Sequence, residues 1–138
     1  MAIELSMLGA AHAAANPLTA RHGVVHGHAV ALMLPHVVRF NGADPAVAEA
    51  YRVVAPEVVP DKAPERLPAA ELVDALALGL ERLMDQARLP RSLRALGLRE
   101  NQLAALAADA AGQWTAGFNP RPVGAADFER LYRLAWGA

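Results

Sequence analysis

The sequence predicts an all-α domain, a single multi-helix bundle, on three observations. Apolar residues recur at spacings of three and four, no segment alternates apolar and polar residues with a period of two, and proline, glycine or asparagine punctuates the gaps. Alanine, the best helix former, supplies much of a hydrophobic share of 54%. Aromatics reach only 5%, so the helices must pack closely through Ala, Leu and Val.

The first helix is predicted from Ile3 to Ala15, with Leu8, Ala11 and Ala15 on one face. Asn16-Pro17 is expected to end or kink it, because a proline disfavours helical geometry in the preceding residue. Thr19 to Val25, with Gly23, reads as a connector. A second helix follows from about Gly27 to Phe40, kinked by Pro35 and stopped at Asn41-Gly42. Asp44-Pro45 opens a third, an N-cap followed by a first-turn proline, with Val47, Tyr51 and Val54 on one side.

Four prolines, Pro56, Pro60, Pro64 and Pro68, make Ala55 to Pro68 read as an extended connector. The most regular helix comes next, with Leu72, Leu76, Leu80, Leu83 and Ala87 as its stripe and Leu89-Pro90 as its stop. Ser92 to Leu98 reads as a turn. Arg99 to about Ala111 is predicted as a helix with Leu103, Leu106 and Ala110 inward. After the break at Asn119-Pro120-Arg121-Pro122, a last helix from Ala125 to Trp136 aligns Phe128, Leu131, Leu134 and Ala135. Trp114, Phe118, Met7 and Met33 are assigned to core packing, and Arg121 to anchoring the last helix.

At 138 residues the chain is one domain, 1–138, long enough to bury a core. A net charge of −1, with twelve Arg and a single Lys (Lys62) scattered along the chain, gives no electrostatic basis for nucleic-acid or membrane partners. No cysteine is present, so any metal must be held by histidine and carboxylate. No long apolar run lacks charge or proline, and Met1 to Leu8 has no basic n-region. A cytoplasmic location is the expectation.

All five histidines fall between residues 12 and 36: His12, His22, His26, His28 and His36. His12 sits on the first helix and His26 at the start of the second. Two imidazoles from neighbouring antiparallel helices thereby come within reach of one ion, as in bundle metal sites. Imidazole suits Fe, Zn, Ni or Cu. A helical histidine is otherwise an ordinary surface or hydrogen-bonded residue, and His22, His28 and His36 keep that reading. Spacing alone leaves both readings open for His12 and His26.

Residues 8 to 41, LGAAHAAANPLTARHGVVHGHAVALMLPHVVRFN, resemble the signature of the iron-dependent (group III) alcohol dehydrogenases. The tail NPRPVGAADFERLYRLAW, residues 119 to 136, is similar to the end of the same family. The resemblance covers essentially the whole chain and implies its C-terminal helical, metal-binding domain. It also implies that His12 and His26 coordinate a divalent metal, Fe or Zn, and that the family chemistry is oxidoreductase chemistry with NAD(P).

The chain also departs from that family. It has no Gly-rich dinucleotide turn, so it reads as truncated, lacking the cofactor domain, and alone is not expected to bind NAD(P). The Asp and His that complete the family's ligand set are missing. Asn16 stands where many members carry a histidine near the nicotinamide; it can hydrogen-bond but cannot act as acid or base. Leu5 and His28 replace polar residues expected in close relatives.

Two histidines are half a site, since a catalytic ion usually has three protein ligands. Within the chain, His22 and Glu4 are the nearest additional candidates; the ordinary reading of Glu4 is a solvated carboxylate near a helix start. A homodimer is the other completion, formed through an uncovered first-helix face of Leu8, Ala11 and Ala15. Three functions follow. The first is the metal-binding half of an iron-dependent alcohol dehydrogenase acting on a small molecule. The second is a homodimeric hydrolase using a metal-bound hydroxide on an activated ester or phosphoester. The third is a non-catalytic helical interaction domain. No catalytic acid or base is assigned.

Overall fold

The computed structural model describes residues 2–137, with side chains from Gly9 onward. Calls that fell on Glu4, Leu5, Met7 and the side chain of Leu8 lie outside the described residues. Seven α-helices are found among the described residues and no strand. They are α1 (Ala2–His22), α2 (His26–Asn41), α3 (Pro45–Tyr51), α4 (Ala55–Val58), α5 (Ala69–Gln86), α6 (Leu103–Ala111) and α7 (Ala125–Trp136). Among the described residues no helix is long and apolar enough to cross a membrane.

α1 is the central element, packed against α2, α6 and the segment Trp114–Phe118. It does not stop at Asn16-Pro17; it runs six residues further, to His22, with Pro17 inside it. The proline withdraws one backbone hydrogen bond from this turn. Tyr132 of α7 adds one to the same turn, its buried hydroxyl donating to the Ala14 carbonyl at 2.6 Å. Burial of Pro17 and Leu18 supplies the packing that keeps the turn helical.

The predicted Thr19–Val25 connector shrinks to three residues, 23–25. Gly23, at φ +69°, takes the left-handed conformation that closes the helix, and Gly23 and Val24 amides donate to the Thr19 and Leu18 carbonyls. Asp44 caps α3 as expected, its carboxylate accepting from the Ala46 amide at 2.9 Å.

The proline-rich stretch is not extended. It folds as α4 followed by two tight 3₁₀ turns, Pro60–Lys62 and Pro64–Arg66. Each proline opens a turn, where its missing N–H costs nothing. Arg52 ties this corner down by donating to the Pro64 and Leu67 carbonyls.

On α5 the buried face turns away from the predicted stripe. Leu72, Leu76 and Met84 are buried, whereas Leu83 and Ala87 are exposed. On α7, Phe128, Leu131 and Ala135 are buried as predicted, while Leu134 is exposed and Tyr132 takes an inner place. Leu103, Leu106 and Ala110 of α6 all face the core, as does Met33 of α2.

Candidate metal centre

Between Gly9 and Leu18 every residue is buried except His12 and Asn16. A helix apolar on nearly all sides belongs in the middle of a core. Here five alanines, Ala10, Ala11, Ala13, Ala14 and Ala15, let neighbouring helices close in around it. His12 and Asn16 are four residues apart and therefore share one face. That face is the open edge of a helical stretch otherwise enclosed from Gly9 to Leu18. Ala11 and Ala15, expected on an uncovered dimerisation face, are instead fully buried by the chain's own helices.

The three-residue link after α1 returns the chain so that His26, the first residue of α2, meets His12. Their ring centroids lie 5.4 Å apart with planes tilted by 42°. His12 is half-buried and His26 exposed. A metal held through a ring nitrogen at about 2.0–2.1 Å lies roughly 3.2 Å from the ring centre. Two such rings at a tetrahedral angle then sit about 5.2 Å apart. The observed spacing fits two neighbouring ligands of one ion, and the donor chemistry fits as well.

Among the described residues no group of three His, Asp or Glu side chains is placed to hold an ion. His22 lies ten residues beyond His12 on the same helix, roughly 15 Å along its axis. His28 turns to the Pro90 carbonyl, 2.9 Å from its Nε2, and holds the loop after α5. His36 lines a different cleft of about 290 Å³ with Glu81, Arg91 and Ser92. Burial lowers its pKa, Glu81 opposing and Arg39 reinforcing the shift.

The segment Trp114–Phe118 runs along α1 past His12. Gln113 at its start accepts from the Asn16 amide at 3.1 Å. At its far end a Cβ on Gly9 would stand 2.8 Å from the Asn119 backbone nitrogen, so this crossing requires glycine. Trp114 and Phe118, predicted as core, are 73% and 51% exposed and pack edge to face at 5.4 Å. Beside Asn16 opens a groove of about 380 Å³ whose lining includes Pro17, Asp109 and Gln113. Asp109 of that lining pairs with Arg21.

An amide hub, missed in the sequence, holds this arrangement. Asn41 is fully buried at the end of α2 and exchanges two hydrogen bonds with Asn119, at 3.0 and 2.7 Å. Asn119 also accepts from the Ala10 amide and donates to the Arg121 carbonyl. Arg121 does not anchor α7: it donates to the Phe40 carbonyl and stacks on the Phe40 ring. No periodicity could reveal a pair separated by 78 residues; the Asn-Pro pairing was the only local sign.

Fold and site together define a helical domain that presents two imidazoles, 5.4 Å apart, on the open edge of its central helix. The chain belongs to the Fe-containing alcohol dehydrogenase family, whose C-terminal model matches residues 1–136. It is 36% identical over 129 residues to the lactaldehyde reductase of Escherichia coli K12, covering 94% of this chain and 33% of that protein. A 1,3-propanediol dehydrogenase of Citrobacter freundii is 30% identical over 142 residues, covering 99% of this chain and 34% of the relative. The crystal structure of a 1,3-propanediol oxidoreductase superposes with a TM-score of 0.77 at 27% identity, over 91% of this chain and 32% of that one. The chain thus spans about a third of the length of the curated relatives it matches.

Proposed function

We propose that this chain is the metal-holding helical module of an alcohol dehydrogenase, with His12 and His26 as two ligands of a divalent ion, iron in the first place. The observation that carries this is the 5.4 Å approach of the two rings at the edge of α1. A bound divalent ion in such an enzyme supplies Lewis acidity, polarising an alcohol or carbonyl oxygen while a nicotinamide exchanges hydride. The relatives' names point to short-chain alcohols and aldehydes as the substrate class. The hydride step needs a dinucleotide, and the helices described here contain no strand–turn–helix unit to bind one; that part of the chemistry belongs to another domain.

The chain's own residues do the positioning. The alanine-packed core fixes the backbone of His12, and the link at residues 23–25 delivers His26. Asn16, oriented by Gln113, offers a hydrogen bond one turn from His12 but no proton transfer. The groove beside it leaves room for a small polar molecule.

Binding of Co²⁺, Zn²⁺ or Fe²⁺ to the chain tests the reading. At a free ion concentration of about 100 Kd the fold should gain about 2.7 kcal/mol, seen as a raised Tm. His26→Ala changes an exposed side chain and should abolish the gain without lowering the metal-free Tm. Equal stabilisation in His26→Ala would overturn the assignment.

A further inference from the structure

We propose that the cleft between α2, α5, α7 and the loop after α5 binds a short-chain monocarboxylate. Its charged end meets His36, Arg91 and Ser92, and its hydrocarbon end meets Leu32, Met84 and Leu134. None of these residues lies on α1, so the inference stands apart from the histidine edge.

The cleft holds about 290 Å³, near the lower limit of small-molecule sites. Its polar wall offers donors whose acceptors are already engaged elsewhere. The half-buried His36 ring makes no hydrogen bond among the described residues. Arg91 donates from Nη1 to Glu81 and pairs through Nε with Asp85, which leaves Nη2. Ser92 Oγ accepts from the Ala95 amide, which leaves its hydroxyl proton. Glu81 is engaged at both ends, one carboxylate oxygen accepting from Arg39 and the other from Arg91. A guest must therefore bring acceptors, and a carboxylate suits a guanidinium beside an imidazole. The same residues are not a hydrolytic triad, because Glu81 turns to the arginines and no hydrogen bond joins Ser92 to His36.

The facing wall is apolar. Leu32 and Met84 are buried, and Leu134 is 59% exposed. An inorganic anion would leave that wall bare, and a neutral amide or alcohol would leave Arg91 and His36 without a counter-charge. A short alkyl chain covers Leu134, which the periodicity of α7 placed inward and the fold left outside. The loop is held in place before any guest arrives. His28 holds the Pro90 carbonyl, Arg91 reaches α5, and the Leu93 amide donates to the Ala135 carbonyl of α7 at 2.9 Å. Such order lowers the cost of binding.

The charged groups around His36 are Arg39 of its own helix, Glu81 of α5 and Arg91 of the loop, while α7 lines the cleft with Leu134. Burial disfavours the charged imidazole, and a carboxylate against the ring favours it. Binding thus takes up a proton and tightens as pH falls through the imidazole range.

NMR titration of the isotope-labelled chain with sodium butyrate, at fixed ionic strength, tests the site. Saturable shifts at millimolar butyrate should centre on the His36 ring, the Arg91 and Ser92 amides and the Leu134 methyls. The His36 pKa should rise by about one unit or more on saturation. Butyramide lacks the charge and inorganic phosphate lacks the chain, and each should bind about tenfold or more weakly. Leu134→Glu alters an exposed position, keeps the fold, and should weaken butyrate binding by about tenfold or more. His36→Gln should remove the pH dependence of binding. Absence of saturable shifts at these residues would overturn the site. Butyramide or phosphate binding as tightly as butyrate would overturn the ligand class, and unchanged affinity in Leu134→Glu would overturn the placement.

Discussion

Replacing Asn41 by alanine should be among the costliest single changes in this protein, for reasons that can be counted. Asn41 is fully buried and makes two reciprocal hydrogen bonds with Asn119, at 3.0 and 2.7 Å. Each contributes about 1 kcal/mol net, and a buried amide left without its partner costs roughly 1–3 kcal/mol more. The pKa of the neighbouring Tyr51 phenol is pushed up to about 12 by burial, with the Asn41 side chain opposing the shift, and the phenol also loses that polar neighbour. Asn41→Ala should therefore lose about 3–5 kcal/mol. Asn119→Ala should lose a similar amount, because it strands the Ala10 amide and frees the Arg121 corner. The double variant should lose clearly less than the sum, giving a coupling of about 1–2 kcal/mol. Urea unfolding followed by circular dichroism measures all four corners of the cycle. Additivity to within about 0.3 kcal/mol would refute the hub.

Other outcomes follow from the same packing. Tyr132→Phe removes the hydroxyl that serves the Pro17 turn and should cost about 1–3 kcal/mol by urea unfolding, with α1 helicity falling first in amide exchange around residues 13–18. His36 is held below the ordinary imidazole pKa by burial, so the unfolded chain binds a proton that the folded chain refuses. Stability should then fall as pH drops below about 6.5, by at most about 1.4 kcal/mol per unit, and His36→Gln should flatten that slope in pH-dependent Tm measurements. Gly9→Ala drives a methyl against the Asn119 backbone and should destabilise by about 1–2 kcal/mol despite alanine's better helix propensity; a rise in Tm would show that the crossing yields. Arg21→Ala breaks an exposed, solvent-screened pair with Asp109 and should leave the urea midpoint essentially unchanged in the same assay.

Much of this fold was legible because local chemistry and packing agree. Asp44-Pro45, the inward leucines of α6 and the span of α7 follow from caps and periodicity alone. Pro17 was misread because the rule against interior prolines is local, whereas the compensation comes from Tyr132, 115 residues away in sequence. The prolines of residues 55–68 break long helices but open short turns equally well, and nothing local separates the two outcomes. Leu83 and Met84 exchanged places on α5 because both fit a 3.6-residue stripe and only the neighbouring helices set its rotation. The histidine pair was visible because its partners are 14 residues apart, on adjacent helices joined by a short link. Its exposed aromatic frame was not, since Trp114 and Phe118 look like core residues until the segment carrying them is seen to lie on the surface.

The open edge of α1 has a consequence for how such a centre can change. Between Gly9 and Leu18, where every other residue is committed to packing, only positions 12 and 16 can trade side chains without disturbing the core. Their spacing of four residues is that of two histidines gripping one zinc from a single helical face. Asn16→His would thus add a third imidazole beside His12 at no cost in buried volume.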